Sequence, residues 1–149
     1  MEISWFGDSF EALLNSLKDA FRHDSFTCAE TAASFCRAVN DHFADVDGEC
    51  CGVYVVRQDD TGDVLYIGKG GTVETCGQFK QQDVPGRLQA PRGSHKADEW
   101  FGELMREKGV LRVEYLVVKR PFAPAFVEAA LLQAYWAEWD HLPPRNRAF

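Results

Sequence analysis

The chain is predicted to fold as an α/β (α+β) sandwich: a three-stranded antiparallel sheet flanked by helices, with an N-terminal helical extension. Three observations predict this. Two β-branched and aromatic runs, Gly52–Val56 and Val64–Ile67, flank the turn-rich segment Asp59–Asp63. Such runs pair as an antiparallel hairpin. A third run, Val110–Lys119, is nearly continuous in Val, Leu and Tyr. Apolar residues recur at helical spacing ahead of the hairpin and on both sides of the third strand.

In chain order, Phe10, Leu13, Leu14, Leu17 and Phe21 predict an amphipathic helix, with Asp8 and Glu11 as its N-terminal cap. Ala29, Ala32, Cys36, Val39 and Phe43 predict a second, opened by Thr27-Cys28-Ala29-Glu30 as a capping box. The pair reads as a helical hairpin packed on the rest, or as a separately functional segment. Asp45-Val46-Asp47-Gly48 marks the boundary, which divides the chain into residues 1–49 and 50–149. Residues 72–95 hold Pro85, Pro91 and several glycines and read as loop, with a short helix before Pro85. Ala97–Lys108 is predicted as a helix with Trp100, Phe101, Leu104 and Met105 inward, stopped by Gly109. Pro124 opens a last helix that runs to Trp139, and Pro143-Pro144 forbids more.

Composition narrows the class. The 149 residues are 46% hydrophobic, enough for one buried core. Five cysteines form no C-x-x-C pair, so reduced thiols and a cytoplasmic setting are expected. Adjacent Cys50 and Cys51 lack the spacing of a zinc site. No stretch reaches the roughly 20 apolar residues that span a bilayer. Glu2 and Asp8 stand where a signal peptide would be basic, so a soluble chain with no membrane partner is expected. Net charge is −7, unpromising for a protein that grips phosphates. The charge is uneven, however. Residues 1–49 carry ten Asp+Glu against three Lys+Arg, whereas residues 50–149 carry thirteen of each. The later segment is thus free to concentrate positive charge locally, and the acidic third is expected to tune access of an anionic substrate.

Glu128 is the unusual carboxylate. It shares a helical stripe with Leu132, Tyr135 and Trp139, which reads as the buried face, and it falls in the first turn. Two readings stay open on pattern alone: a helix-start Glu paired with an Arg, or a carboxylate kept for chemistry. Tyr54 and Tyr66 sit in the hairpin strands, where tyrosines usually serve packing. Gly68-Lys69-Gly70-Gly71 follows the second strand, and glycines there let backbone approach a phosphate. Arg87, taken alone, reads as solvated surface.

Together these residues resemble the GIY-YIG nuclease family. Gly52-Val53-Tyr54 matches the first motif with Val for Ile, and Tyr66-Ile67-Gly68 matches the second, continued by Lys69. Arg87 falls where the family places an arginine, Glu128 where it places a metal-binding glutamate, and Asn146 where an asparagine closes the domain. The match covers residues 52–146 and leaves the first 49 unexplained. The connection from Gly68 to Arg87 is longer than in compact members, which makes Arg92 a competitor for the arginine position. His95 corresponds loosely to a histidine that some members use, but a surface or phosphate-contacting histidine is the preferred reading.

The resemblance implies a metal-dependent endonuclease that hydrolyses DNA phosphodiesters, with RNA left open. One Mg²⁺ or Mn²⁺ ion would sit on Glu128, against the scissile phosphate and the 3′ leaving oxygen. Tyr54 is the first choice of general base, with Tyr66 orienting water or phosphate; the reverse assignment is the alternative. Lys69 and Arg87 would stabilise phosphate charge, and Asn146 would support the site. Gly68, Gly70, Arg92, His95, Arg145 and Arg147 are the expected substrate contacts. Two rival readings are a silent binding module of the same fold and a toxin-like nuclease whose acidic N-terminal helices bind a protein partner.

Overall fold

Residues Phe10–Ala20 form α1, which buries Phe10, Leu13, Leu14 and Leu17 as their spacing predicts. In this computed structural model, which describes residues 5, 9–30, 34–80 and 82–148, Ser9 caps the helix by accepting from the Ala12 N–H at 3.2 Å. The expected cap residue Asp8 lies outside the described residues, as does Ala32 of the expected second helix.

The segment Arg22–Cys28 is a strand, β1, and not part of a helical hairpin. Thr27 and Cys28, read as a capping box, pair instead with Arg112 and Leu111. The helix that follows, α2, is shorter than expected, covering Phe35–Phe43 with Ser34 as its cap. The strand escaped the sequence reading because it is largely exposed and polar, Arg-His-Asp-Ser-Phe-Thr-Cys, and lacks the apolar alternation of a half-buried strand.

The hairpin comprises β2, Gly52–Gln58, and β3, Val64–Gly70. A two-stranded ribbon, β4 (Thr72–Val73) with β5 (Phe79–Lys80), occupies part of the expected loop. After it α3, Val84–Leu88, starts at Asp83 and carries Pro85 in its first turn, so the short helix includes Pro85 where it was expected to precede it. Ala97–Lys108 is α4, closed by Gly109 at φ 82°, and Leu111–Val117 is β6. The last helix, α5, runs Pro124–Trp139. No helix among the described residues is long and apolar enough to cross a membrane, and the five cysteines are all free.

The main sheet is antiparallel with order β1-β6-β2-β3, four strands where three were expected. The extra strand is β1 at one edge. Alternation along β2 sends Val53 and Val55 to one face and Tyr54 and Val56 to the other. The first face packs on α1 and α5, the second on α2, α3 and α4. Along α5, Leu132 and Tyr135 are buried, but Trp139 is 53% exposed and does not extend the buried stripe.

Polar contacts also tie α1 to the sheet. Arg57 on β2 is buried and bonds to Glu11 of α1 at 3.0 Å, to the Gly62 carbonyl at 2.9 Å, and to Glu114 on β6. Glu114 in turn takes Lys18 of α1.

Candidate active site at the free edge of the sheet

Because β3 ends the sheet, groups from both of its faces meet around its rim. Ile67 belongs to the core under α5, so its neighbour Tyr66 points to the opposite face. There the Tyr66 ring is half-buried, 5.4 Å from Trp100 on α4 in an edge-to-face arrangement. Lys69 comes from the end of the same strand. Glu128 projects from α5 as its fifth residue, just past the first turn where it was expected, and Arg87 from α3. Tyr66, Lys69, Arg87 and Glu128 line one polar cavity of about 240 Å³, with Gly71, Thr72 and Gln82 completing its wall.

Local packing explains how α3 comes so near. A side chain at Gly70 would meet the Asp83 and Val84 backbone at 2.4 Å. Asp83 accepts from the Cys50 N–H at 3.2 Å, and the Val84 N–H donates to the Cys50 carbonyl at 2.9 Å. Gly70 is therefore the seat of α3. Gly68 is filled in the same way, since a Cβ there would lie 2.4 Å from Cζ and Oη of Tyr54. Both glycines were expected to open backbone to a phosphate; their missing side chains are used for packing, and it is Gly71, at φ 100°, that lines the cavity.

The electrostatics set Glu128 apart. Burial raises its carboxyl above the ordinary range, while Lys69 and Arg87 pull it the other way. Among the described residues Glu128 makes no ion pair within 4.0 Å, nor do Lys69 and Arg87. The reading of Glu128 as one half of a structural ion pair with an Arg is therefore not met. A half-buried carboxylate is kept near two cations without being neutralised by contact, an arrangement suited to a further charged group between them.

Tyr54 requires a correction. It is fully buried, its hydroxyl accepts from Arg92 at 2.9 Å, and it does not line this cavity. Burial pushes that hydroxyl well above the ordinary tyrosine value, and the pull of Arg92 and Arg87 does not make up the difference. A general base needs access to water, which the buried Tyr54 lacks in this arrangement.

No protein-family model, curated protein or solved structure matches this chain.

A second cavity, about 360 Å³, adjoins the first and shares Tyr66 and Arg87 with it. Arg92, Trp100, Asn146 and Arg147 contribute to its walls. Asn146 grips the outward edge of β3, accepting from the Ile67 N–H at 2.9 Å and donating to the Ile67 carbonyl at 2.8 Å. Arg145 adds a backbone bond to the Leu65 carbonyl at 2.9 Å, and its side chain pairs with Glu107. The C-terminal segment thus covers an edge that would otherwise expose unpaired backbone. His95 lines neither cavity; its exposed ring lies 3.6 Å from Glu99, and its backbone bridges to Arg92.

Trp100 and Gln82 were not recognised from sequence. Helical spacing predicts Trp100 as core, whereas it is half-exposed at the second cavity. Gln82 had no signal at all, and takes φ 75° beside the first cavity, a backbone state that costs a non-glycine residue about 1 kcal/mol or more.

Proposed function

We propose that this chain is a divalent-metal-dependent nuclease with a GIY-YIG type of active site, hydrolysing phosphodiester bonds in nucleic acid, DNA first among them. One observation carries the reading: Tyr66, Lys69, Arg87 and Glu128, drawn from β3, α3 and α5, line a single polar cavity, and among the described residues Lys69, Arg87 and Glu128 make no ion pair within 4.0 Å.

Each residue suits one requirement of phosphodiester hydrolysis. Lys69 and Arg87 hold the non-bridging oxygens and offset the charge that builds on them. Glu128 would hold the cation. With one carboxylate present it suits Mg²⁺ or Mn²⁺, which take one or two carboxylates and fill their shell with water and phosphate oxygens. Among the described residues there is no group of three or more His, Cys, Asp or Glu that would make an all-protein cage. When bound, the ion supplies charge neutralisation at the phosphate and at the leaving oxygen. Tyr66 replaces Tyr54 as the proton acceptor, since it is half-exposed in the cavity beside Arg87 and Lys69. Water attacks phosphorus as the deprotonated Tyr66 oxygen takes its proton, the bond from phosphorus to the 3′ oxygen breaks, and the departing 3′ oxygen takes a proton from solvent. Asn146 and Arg92 position the site by fixing β3 and the Tyr54 ring beneath it.

The test is incubation of pure protein with plasmid and oligonucleotides in Mg²⁺, Mn²⁺ or chelator. Metal-dependent cleavage that disappears in Glu128→Gln is the expected result. Metal-independent cleavage, or none on any nucleic acid, would reject the reading.

A further inference from the structure

The second cavity deepens the nuclease reading and rests on it. The two cavities meet at Tyr66 and Arg87. A ligand with a phosphate beside Lys69 and Arg87 therefore continues past the Tyr66 ring into a space of about 360 Å³. That volume lies within the roughly 300–1,000 Å³ of pockets that enclose small ligands.

The walls of this space are aromatic and cationic. Trp100 and Tyr66 stand 5.4 Å apart between ring centres, tilted by 69°. The Arg92 guanidinium carbon lies 5.1 Å from the Trp100 ring centre and 5.8 Å from that of Tyr66. Arg92 is held by its bonds to the Tyr54 hydroxyl at 2.9 Å and the Ala90 carbonyl at 3.0 Å, so the platform is fixed in advance. Arg147, exposed at the rim, has no ion-pair or side-chain hydrogen-bond partner among the described residues. Among the described residues no Asp or Glu lines the cavity. Flat π surfaces beside fixed and free guanidinium groups suit a planar, polar ring on an anionic chain, which is the chemistry of a nucleotide.

A base inside a duplex has its faces covered by its neighbours. Only an unstacked nucleotide can offer a face to Trp100 and Tyr66. We propose that the Tyr66–Trp100–Arg92 cavity receives an unpaired nucleotide adjoining the scissile phosphate, so that single-stranded or frayed nucleic acid is preferred over intact duplex.

The experiment is fluorescence anisotropy on the full chain in EDTA with labelled single-stranded DNA, single-stranded RNA of the same sequence, and blunt duplex DNA. Single strands are expected to bind at least about tenfold more tightly than duplex, the scale set by one base–aromatic stack. An abasic site moved along the strand should weaken binding by a similar factor at one position only, adjoining the bond cut when Mg²⁺ is added. Trp100→Leu should make abasic and intact strands bind alike, and Arg147→Ala should weaken both. The DNA and RNA arms identify the sugar. Equal binding of duplex, or indifference to the abasic site at every position, overturns the proposal even if Trp100→Leu fails to fold, because that scan uses the natural protein. Cleavage of duplex that needs Glu128 but ignores abasic sites would sink this proposal and leave the nuclease reading standing. Absence of both binding and cleavage would sink the two together.

Discussion

Arg92 donates to the Tyr54 hydroxyl at 2.9 Å, and this bond joins the interior of the sheet to the wall of the second cavity. Tyr54 is wholly buried, so its hydroxyl needs a donor. Arg92 finds in it a side-chain acceptor beyond the Arg87, Leu88 and Ala90 carbonyls. The Tyr54 ring in turn occupies the space above Gly68. The first tyrosine of the hairpin therefore builds the site from below, and the second faces it.

Tyr54→Phe and Tyr66→Phe should consequently fail in different ways. Loss of the Tyr54 hydroxyl leaves an Arg92 donor short of an acceptor and is expected to cost about 1.5–3 kcal/mol of stability, as for bonds to charged groups. Its pH–rate profile should keep its shape. Tyr66→Phe should melt normally and lose at least about a hundredfold in single-turnover rate, with the alkaline-favoured limb of the profile removed. Loss of that limb in Tyr54→Phe instead would return the base role to Tyr54.

Glu128→Gln should abolish cleavage without harming the fold. Burial raises the folded pKa of Glu128 above the ordinary 4.5. The folded protein thus binds this proton more tightly than the unfolded chain does. The associated stability is complete below about 4.5 and declines as pH rises through the folded value. The metal-free Gln variant should therefore melt at or above the parent's temperature at pH 7. Mn²⁺ should raise the parent's melting temperature and leave the variant's unchanged. Equal Mn²⁺ stabilisation of both proteins would remove Glu128 as the ligand.

Asn146→Ala removes both side-chain bonds to Ile67 and leaves that edge of β3 unpaired. A loss of about 1–3 kcal/mol is expected, together with faster amide exchange at Ile67. Asn146→Asp keeps the acceptor but turns a second oxygen toward the Ile67 carbonyl, and should recover little of the loss. Unchanged exchange in both variants would show that Asn146 does not hold the strand.

A chain beginning at Asp47 should not fold. It lacks β1 and the buried Phe10, Leu13, Leu14 and Leu17, and each such leucine is worth about 2–5 kcal/mol against a total of about 5–15. It also leaves Arg57 without Glu11, and Glu114 without Lys18. Burial by itself would raise Glu114, but Lys18 and Arg57 outweigh it and hold the carboxyl below its usual range. Its stabilising contribution is thus present above about pH 4.5 and lost as pH falls through the depressed folded value. Circular dichroism of the truncated chain checks the first statement, and acid titration of Arg57→Met, which should unfold with a flatter pH dependence, checks the second.

The same dependence decides how the acidic third must be tested. Neutralising the exposed Asp41, Asp45 and Asp47 to Asn keeps α1 and β1 in place. Tighter DNA binding at low salt with an unchanged single-turnover rate is the outcome expected if those charges repel substrate. Weaker binding would place them on the binding surface.

The sequence by itself determined the elements with strong local periodicity. The helices at Ala97–Lys108 and Pro124–Trp139 fall where apolar spacing, Gly109 and Pro124 put them, and β2, β3 and β6 lie within a few residues of their β-branched runs. The apolar stripe of α1 is buried as its spacing predicts. Periodicity reports which face of an element is apolar, and for these elements that face is the one that packs.

Only the tertiary structure decided what depends on a partner distant in the chain. β1 is polar and exposed, and is a strand because β6 offers it a ladder, which no local pattern encodes. Arg92 rather than Arg87 reaches Tyr54, because β2 and the segment around Ala90 meet across the fold. Tyr54 and Tyr66 look alike in sequence, one on each hairpin strand. The ring of one lies over Gly68 at the heart of the sheet, and the other borders the outer edge strand β3. Burial differs between them because strand order, not composition, sets which ring meets water, and access to water is what separates a packing tyrosine from one that can take a proton.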